Sequence, residues 1–123
     1  MQSIAEYFAP IDLGNIVGEE IENSLATVFA VYTEKLGFPD MKGVKLAIIG
    51  VNEERQAINN NGCGNAPDEV RKSLYRLMKG GYDLNIADLG NINPGYSIED
   101  TYFALSSSIQ ELVKKNIVPI VIG

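Results

Sequence analysis

Two long polar loops carry most of the side chains that could do chemistry. The first runs from Asn52 to Ala66 and the second from Gly90 to Gly95, and each follows a short apolar segment typical of a buried strand. A connection of about 14 residues is longer than most loops in compact domains and is more often functional than idle. Because ligands of parallel α/β sheets bind beyond the carboxyl ends of the strands, these loops are predicted to carry the site.

One interpretation of the first loop is dinucleotide binding. Gly62-Cys63-Gly64 begins like the G-x-G-x-x-G motif, and Asp88 follows at roughly the spacing of that motif's acidic residue. However, Pro67 occupies the third glycine position, and the glycines lie a full loop after the strand. A tight strand–turn–helix around a pyrophosphate cannot form with that spacing, and the chain contains no Walker-type phosphate loop.

The composition excludes several other kinds of site. The chain has 123 residues, no histidine and one cysteine. It therefore lacks the commonest metal ligand and general base, and it cannot form an internal disulfide or a cysteine-based zinc site. By this count, the 123 residues do not hold a self-sufficient catalytic set.

Charge and hydropathy predict which partners the chain avoids. Ten Lys and Arg against sixteen Asp and Glu give a net charge of −6, without a basic cluster, so nucleic acid is an unsuitable partner. The first residues lack the features of a signal peptide, and no apolar run reaches the length of a membrane span, about 20 residues. The expectation is a cytoplasmic protein without membrane contact.

The order of elements predicts an α/β fold with a parallel sheet between layers of helices. Strands are predicted at 44–51, 83–89 and 117–123, with a helix in each connection, so the order is helix, then β-α-β-α-β. Residues 1–43 are predicted to form an N-terminal helical extension and residues 44–123 the first part of a three-layer α-β-α domain. Pro119 cannot donate to a sheet ladder, so it should lie near the strand start or at an unpaired position.

Apolar spacing and capping residues predict three helices. The first spans about Val17 to Leu36, and the second begins at Pro67 and ends before Gly80-Gly81. The third begins with a capping box in which Ser97 is the N-cap and Asp100 lies at N3. The predicted buried stripe of the second helix is Val70, Leu74, Leu77 and Met78, and that of the third is Ile98, Tyr102, Leu105, Ile109 and Leu112.

The carboxyl-terminal segment ends as a strand without a following helix. The run Ile117 to Gly123 is almost entirely apolar, which is typical of a strand covered on both faces. Domains rarely stop at the last residue of such a strand. We therefore expect the chain to be cut from a longer protein, and a sheet that stops there would expose an unpaired edge and promote self-association.

Three motifs in order resemble the ureohydrolase family, which contains arginases, agmatinases and formimidoylglutamases. The first is a strand ending in Gly50-Val51, followed by a glycine-containing loop and a helix start with Gly62, Ala66, Pro67, Val70 and Arg71. Asp88-Leu89-Gly90-Asn91-Ile92 resembles the family's D-x-G-[DN]-[IV], and Val118 to Gly123 resembles its third strand. The segments Leu74–Leu77 and Asp100–Leu105 resemble formimidoylglutamase-like members most.

This resemblance implies an arginase-like fold and a manganese enzyme that hydrolyses a small amidine. Such enzymes bind two Mn²⁺ ions whose bridging hydroxide attacks a guanidinium or formimino carbon. For a formimidoylglutamase, N-formimino-L-glutamate and water would give L-glutamate and formamide. The family's metal ligands lie in motifs beyond the third strand, so no catalytic residue or metal ligand is expected in residues 1–123, which alone should be inactive.

What this segment could contribute is a substrate rim. The candidates are Arg55, Asn59, Asn60 and Asn61 on the first loop, with Asn91 and Asn93 on the second. Arg55 could clamp a substrate carboxylate, or it could simply pair with Glu53 or Glu54. For the asparagines, turn formation is the alternative to ligand contact. Arg71 is expected to bridge helix and loop, and Asp88 to accept hydrogen bonds from a neighbouring loop.

Three other functions remain open at this point. The chain could derive from an arginase or an agmatinase, or it could be a non-catalytic arginase-fold domain that binds a partner or supports a homo-oligomer. A small flavodoxin-like or dinucleotide-binding module is the third alternative. The residues that follow Gly123 distinguish the first two, and a copurified cofactor would indicate the third.

Overall fold

The computed structural model describes residues 2–55, 62–81 and 83–123 and contains a mostly parallel sheet between helices. Its strands are β1 (Phe8–Ala9), β2 (Ala30–Val31), β3 (Leu46–Val51), β4 (Ile86–Ile92) and β5 (Val118–Ile122). Its helices are α1 (Gln2–Ala5), α2 (Leu13–Val17), α3 (Ala66–Leu74) and α4 (Ile98–Lys114), with short 3-10 turns at Leu25–Thr27 and Cys63–Asn65. The predicted α/β class is confirmed.

Strand β3 lies in the centre of the sheet and pairs in parallel with β4 on one side and β5 on the other. The crossover through α3 leads from β3 to β4, and the crossover through α4 returns past β3 to β5. Since both crossovers have the same preferred hand but run in opposite directions, their helices lie on opposite faces of the sheet.

The two faces of the sheet are covered by separate apolar clusters. On one face, Ala104 and Leu112 of α4 pack with Ala47, Ile49 and Leu89. The other face presents Ile48, which packs with Tyr75 beside α3 and with Ile16 of α2. This alternation of side chains along β3 produces the predicted three layers.

The helix predicted from Val17 to Leu36 is wrong. Helix α2 ends at Val17, and Gly18 and Asn23 then adopt positive φ angles of 62° each. The later part of the segment is rich in β-branched and aromatic residues, and Ala30–Val31 pairs in parallel with β4. Pairing with the sheet therefore overrides the helical spacing, and the extension contains short helices and two short strands.

The buried stripe predicted for α3 is correct only at Leu74, which is half-buried and packs against the cluster around Ile48. Val70, Leu77 and Met78 are exposed, and the helix ends at Leu74. Its buried positions are Pro67 and Arg71, with Tyr75 buried directly after the helix. A buried ion pair, described below, sets the orientation of this helix instead of its apolar residues.

Helix α4 is confirmed in position, and its predicted stripe is confirmed in part, since Leu112 is fully buried and Leu105 and Ile109 are half-buried against the same cluster. The Ser97 hydroxyl accepts a hydrogen bond from the Asp100 amide, and the Asp100 carboxylate accepts one from the Ser97 amide, which confirms the capping box. The buried face, however, consists of small and apolar residues, and Tyr102 is exposed. Its members are Thr101, Ala104, Ser108 and Leu112.

Strand β5 lies at an edge of the described sheet, so its predicted burial on both faces is wrong. Val118, Ile120 and Val121 are all exposed. The Val118 amide donates to the Lys45 carbonyl oxygen across to β3, so the next nitrogen, that of Pro119, points away from β3. Pro119 thus occupies the second position of the strand, facing away from its partner, as predicted.

No helix in residues 2–55, 62–81 and 83–123 has the length and apolar character needed to cross a membrane.

Candidate functional site at the carboxyl edge of the sheet

The carboxyl ends of β3 and β4 lie side by side, and the connections that leave them run to opposite faces of the sheet. Such a reversal between neighbouring parallel strands marks the position outside their ends at which open α/β sheets bind ligands. We call this place the β3–β4 crevice. It is flanked by the start of the β3–α3 loop (52–55) and by the β4–α4 loop (93–97).

A buried ion pair lies beneath the crevice. Arg71 on α3 donates from Nε to Oδ2 of Asp88 at 2.8 Å and from a terminal nitrogen to Oδ1 at 2.9 Å. Both side chains have no solvent exposure. Two parallel hydrogen bonds between fixed planar groups define one geometry, so the pair fixes α3 on β4.

The remaining hydrogen-bonding groups of this pair are also satisfied. The Tyr75 hydroxyl and the Gly90 amide donate to Asp88, and Arg71 donates further to the Gly90 carbonyl oxygen and to Asn91 Oδ1. Asp68, one turn before Arg71, accepts another hydrogen bond at 3.1 Å. Complete satisfaction matters because an unpaired buried charge costs several kcal/mol, about 3–5 when one partner is removed.

An extra residue in β4 places Asn91 within reach of Arg71. The register runs from Ile48 opposite Asp88 to Gly50 opposite Asn91, so two steps on β3 match three on β4. This bulge brings Asn91 to the same face as Asp88, where strict alternation would have placed Gly90. A side chain at Gly50 would overlap Asn91 Oδ1 and touch the Arg71 guanidinium, so glycine leaves the space that this cluster occupies.

The electrostatics of the pair favour its charged form. Burial opposes the charge on Arg71, but the hydrogen bonds and the charge of Asp88 outweigh that penalty and raise the pKa of Arg71. Burial and the neighbouring Asp88 raise the pKa of Tyr75, which therefore remains a neutral hydrogen-bond donor. Arg71 and Tyr75 therefore keep their protons near neutral pH, and the cluster supports the crevice from beneath.

A second polar cluster, the Glu53 network, spans the crevice and comprises Glu53, Arg55, Gly95, Tyr96 and Thr101. Glu53 accepts hydrogen bonds from the Arg55 side chain, from the Arg55 amide at 3.1 Å and from Thr101 Oγ1 at 2.9 Å. Arg55 continues across to the carbonyl oxygens of Gly95 and Tyr96 at 2.9 and 3.1 Å. The network therefore joins the β3–α3 loop to the β4–α4 loop and to the first turns of α4.

The two charged groups of the network differ in their exposure to water. The Glu53 side chain is 6% exposed, whereas the Arg55 side chain is 39% exposed. Hydrogen bonds from Arg55 lower the pKa of Glu53 from 4.5 to about 2, against the opposing effect of burial. Glu53 is therefore an anion throughout the physiological range and acts as an acceptor.

The predicted rim residues that the structure describes each contact a different part of the protein. Arg55 pairs with Glu53, which is one of its two predicted roles. Asn91 is half-buried and accepts a hydrogen bond from Arg71. Asn93 is exposed, and its backbone N–H donates to the Tyr7 carbonyl oxygen. Asn59, Asn60 and Asn61 lie outside the described residues, so ligand contact by the rim stays a prediction.

Sequence reasoning understated Glu53 and missed Thr101. The sequence predicts Glu53 only as one possible partner of Arg55, whereas the structure places it at the centre of the network. Thr101 is a polar residue on the buried face of α4, and its hydroxyl oxygen accepts a hydrogen bond from the Gly95 backbone amide at 3.2 Å. The sequence shows that Thr101 shares a helix face with Ala104 and Ser108, which could have indicated a buried hydroxyl. Only the fold shows that this hydroxyl contacts Glu53.

A separate open groove of about 620 Å³ lies between residues 10–13 and 33–36 of the N-terminal extension. Leu36 on its wall is exposed. Of the predicted rim residues that the structure describes, Arg55, Asn91 and Asn93, none lines this groove.

One comparison with known protein families matches the part of the chain that contains this site. A sequence model of the arginase family matches residues 44–123, about two thirds of the chain. The chain belongs to the arginase family. The matched part of this arginase-family chain begins just before β3 and includes α3, β4, α4 and β5, so both polar clusters lie within it. A comparison with curated protein sequences finds no match.

Arginase-family enzymes depend on metal ions, so the fit of the present residues to such ions can be tested. The described residues contain no group of three or more His, Cys, Asp or Glu side chains arranged to hold a metal. The most buried acid, Asp88, already receives Arg71, Tyr75 and Gly90. These residues do not fit a metal centre, and no hydrolytic step is assigned to them.

Proposed function

We propose that this arginase-family chain is the N-terminal part of a manganese-dependent ureohydrolase-like enzyme that converts N-formimino-L-glutamate and water to L-glutamate and formamide. The family match over residues 44–123 is the observation that supports this proposal. The choice of substrate rests on the resemblance of Leu74–Leu77 and Asp100–Leu105 to formimidoylglutamase-like members.

In this proposal residues 44–123 supply the supporting wall of the active site. The ion pair of Arg71 and Asp88 fixes the end of β4, and the Glu53 network fixes the two loops above it. Arg55, Asn91 and Asn93 then form part of the substrate rim, with Asn59, Asn60 and Asn61 as its remaining members. In the complete protein, ligands outside residues 1–123 would hold the two Mn²⁺ ions, which would supply the activated hydroxide.

The deciding experiment uses the protein encoded by the complete reading frame, loaded with Mn²⁺. Formiminoglutamate, arginine and agmatine are offered separately, and glutamate, formamide, ornithine, putrescine and urea are measured. We expect turnover of formiminoglutamate in preference to the other two. Turnover of only arginine or agmatine would replace the substrate within the family, and turnover of none would favour a non-catalytic binding or scaffold domain.

The chain of residues 1–123 serves as the internal comparison. We expect it to hydrolyse none of the three amidines with or without Mn²⁺. Turnover by this chain would contradict the absence of catalytic groups from residues 1–123.

A further inference from the structure

The Glu53 network uses every hydrogen-bond donor that Arg55 has. A guanidinium carries five N–H groups in a planar fork. Nε donates to Glu53, one terminal nitrogen donates to Gly95 and Tyr96, and the other donates to Glu53 and Thr101. A substrate carboxylate could engage Arg55 only by displacing one of these partners.

The Glu53 carboxylate accepts hydrogen bonds from two different residues of the network. It accepts from the side chain and the amide of Arg55 and from the hydroxyl of Thr101, whose oxygen in turn accepts from the Gly95 amide. The carboxylate is therefore coupled to Gly95 without touching it. Hydrogen bonds to an ionised group are about twice as strong as neutral ones, and partial burial strengthens them further.

We infer that Glu53 is a positioning residue, which acts through Arg55 and Thr101 to hold the β3–α3 loop against the β4–α4 loop and so sets the width of the β3–β4 crevice. This inference rests on the proposed function for the statement that a substrate occupies the crevice. The rival role for Arg55, a direct clamp on a substrate carboxylate, makes the opposite prediction when Glu53 is neutralised.

The first arm of the test measures the loops in chain 1–123 without any activity. In Glu53→Gln we expect backbone amide exchange at Gly95 to rise about tenfold, as one charge-assisted hydrogen bond is weakened. The Gly64 amide, which donates to Glu54 and lies outside the network, should exchange as before. Unchanged exchange at Gly95 would overturn the inference.

Three variants control this arm. Glu69→Gln removes a carboxylate that pairs with Lys72 on the exposed side of α3, and it should leave Gly95 unchanged. Thr101→Val keeps the side-chain shape but removes the hydroxyl, whereas Thr101→Ser keeps the hydroxyl. Because Thr101→Val removes the acceptor of the Gly95 amide itself, we expect it to raise exchange at Gly95 at least as much as Glu53→Gln does, and Thr101→Ser to keep Gly95 protected. Equal exchange in both would show that the hydroxyl does not link Gly95 to Glu53.

The second arm measures kinetics in the complete manganese-loaded protein. If Glu53 positions the loops, Glu53→Gln raises KM for formiminoglutamate about tenfold and leaves kcat within about twofold of the original value. If Arg55 is a clamp held back by Glu53, the same variant lowers KM and the inference is wrong. If the original protein turns over no amidine, the proposed function fails, and the exchange at Gly95 alone decides whether Glu53 positions the loops.

Discussion

Arg71 and Asp88 form a charge pair that is entirely removed from water. Such a pair adds less to stability than its geometry suggests, because both charges lose their hydration. Its main effect here is on geometry, since the two parallel hydrogen bonds accept only one orientation of α3 on β4. Loss of one member is costly because the other charge remains buried.

We therefore expect Arg71→Met to lower the free energy of unfolding by about 3–5 kcal/mol. The adjacent variant Lys72→Met is the matched control, since Lys72 pairs with Glu69 on the exposed surface and should change stability by at most about 0.5 kcal/mol. Urea unfolding followed by circular dichroism measures both. If Arg71→Met does not fold, the double variant with Asp88→Asn should regain part of the loss, and no recovery would contradict a charge effect.

Glu53 gives a pH dependence whose sign follows from its lowered pKa. Its value of about 2 lies below the 4.5 of an unfolded chain, so its contribution to stability is complete above pH 4.5 and is lost as pH falls towards 2. The facing charge is Arg55, on which Glu99 and Asp100 also act. We expect Glu53→Gln to lower Tm at pH 7 and the difference in Tm to close below pH 4.5. An equal difference at pH 7 and pH 2.5 would exclude this charge effect.

Strand β4 shows how one glycine connects the N-terminal extension to the site. Gly90 has a φ of +85°, and a side chain on it would overlap the Ala9 carbonyl oxygen. The missing side chain at Gly90 therefore lets Ala9 of β1 approach β4 beside the bulge. The same bulge turns Asn91 towards Arg71, so the extension and the buried pair depend on one backbone feature.

Gly90→Ala should consequently detach β1 and lower the free energy of unfolding by at least about 1–2 kcal/mol. The specific signal is faster amide exchange at Asn93, whose amide donates to the Tyr7 carbonyl oxygen at 2.8 Å. Gly81→Ala is the control, because a side chain there meets no atom within 4 Å and its φ is ordinary. Equal effects of the two substitutions would show that the close approach of Ala9 is unimportant.

At the scale of the whole molecule, the two edges of the sheet differ in how they are covered. Strands β1 and β2 both pair with β4, so the extension covers the β4 edge. On the other side β5 pairs with β3, and its exposed apolar residues include Val118, Ile120 and Val121. An apolar strand at a sheet edge is a surface for pairing with another strand.

We expect chain 1–123 to self-associate through β5 at high concentration, as measured by light scattering. Val121→Lys should reduce the association, because a charge on the edge strand opposes strand pairing. Val70→Lys is closely matched, since Val70 and Val121 are both 44% exposed but Val70 lies on α3. A monodisperse monomer at high concentration, or equal effects of both variants, would contradict association through this edge.

The α/β class, the sequence order of the main strands and the capping box of α4 followed from the sequence. These features depend on local properties: apolar runs, glycine and proline positions, and the spacing of Ser97 and Asp100. The helix predicted at 17–36 failed for the complementary reason. Its residues pair with β4, a partner far along the chain that periodicity does not reveal.

The resemblance to ureohydrolases likewise came from motifs along the chain, and it pointed to Arg71, Asp88 and Asn91 before their partners were known. Only the tertiary structure decided that Arg71 is buried on Asp88 and that Glu53 joins two loops through Arg55 and Thr101. The reason is that local pattern determines which element forms, whereas burial and hydrogen-bond partners depend on elements that are distant in sequence and adjacent in space.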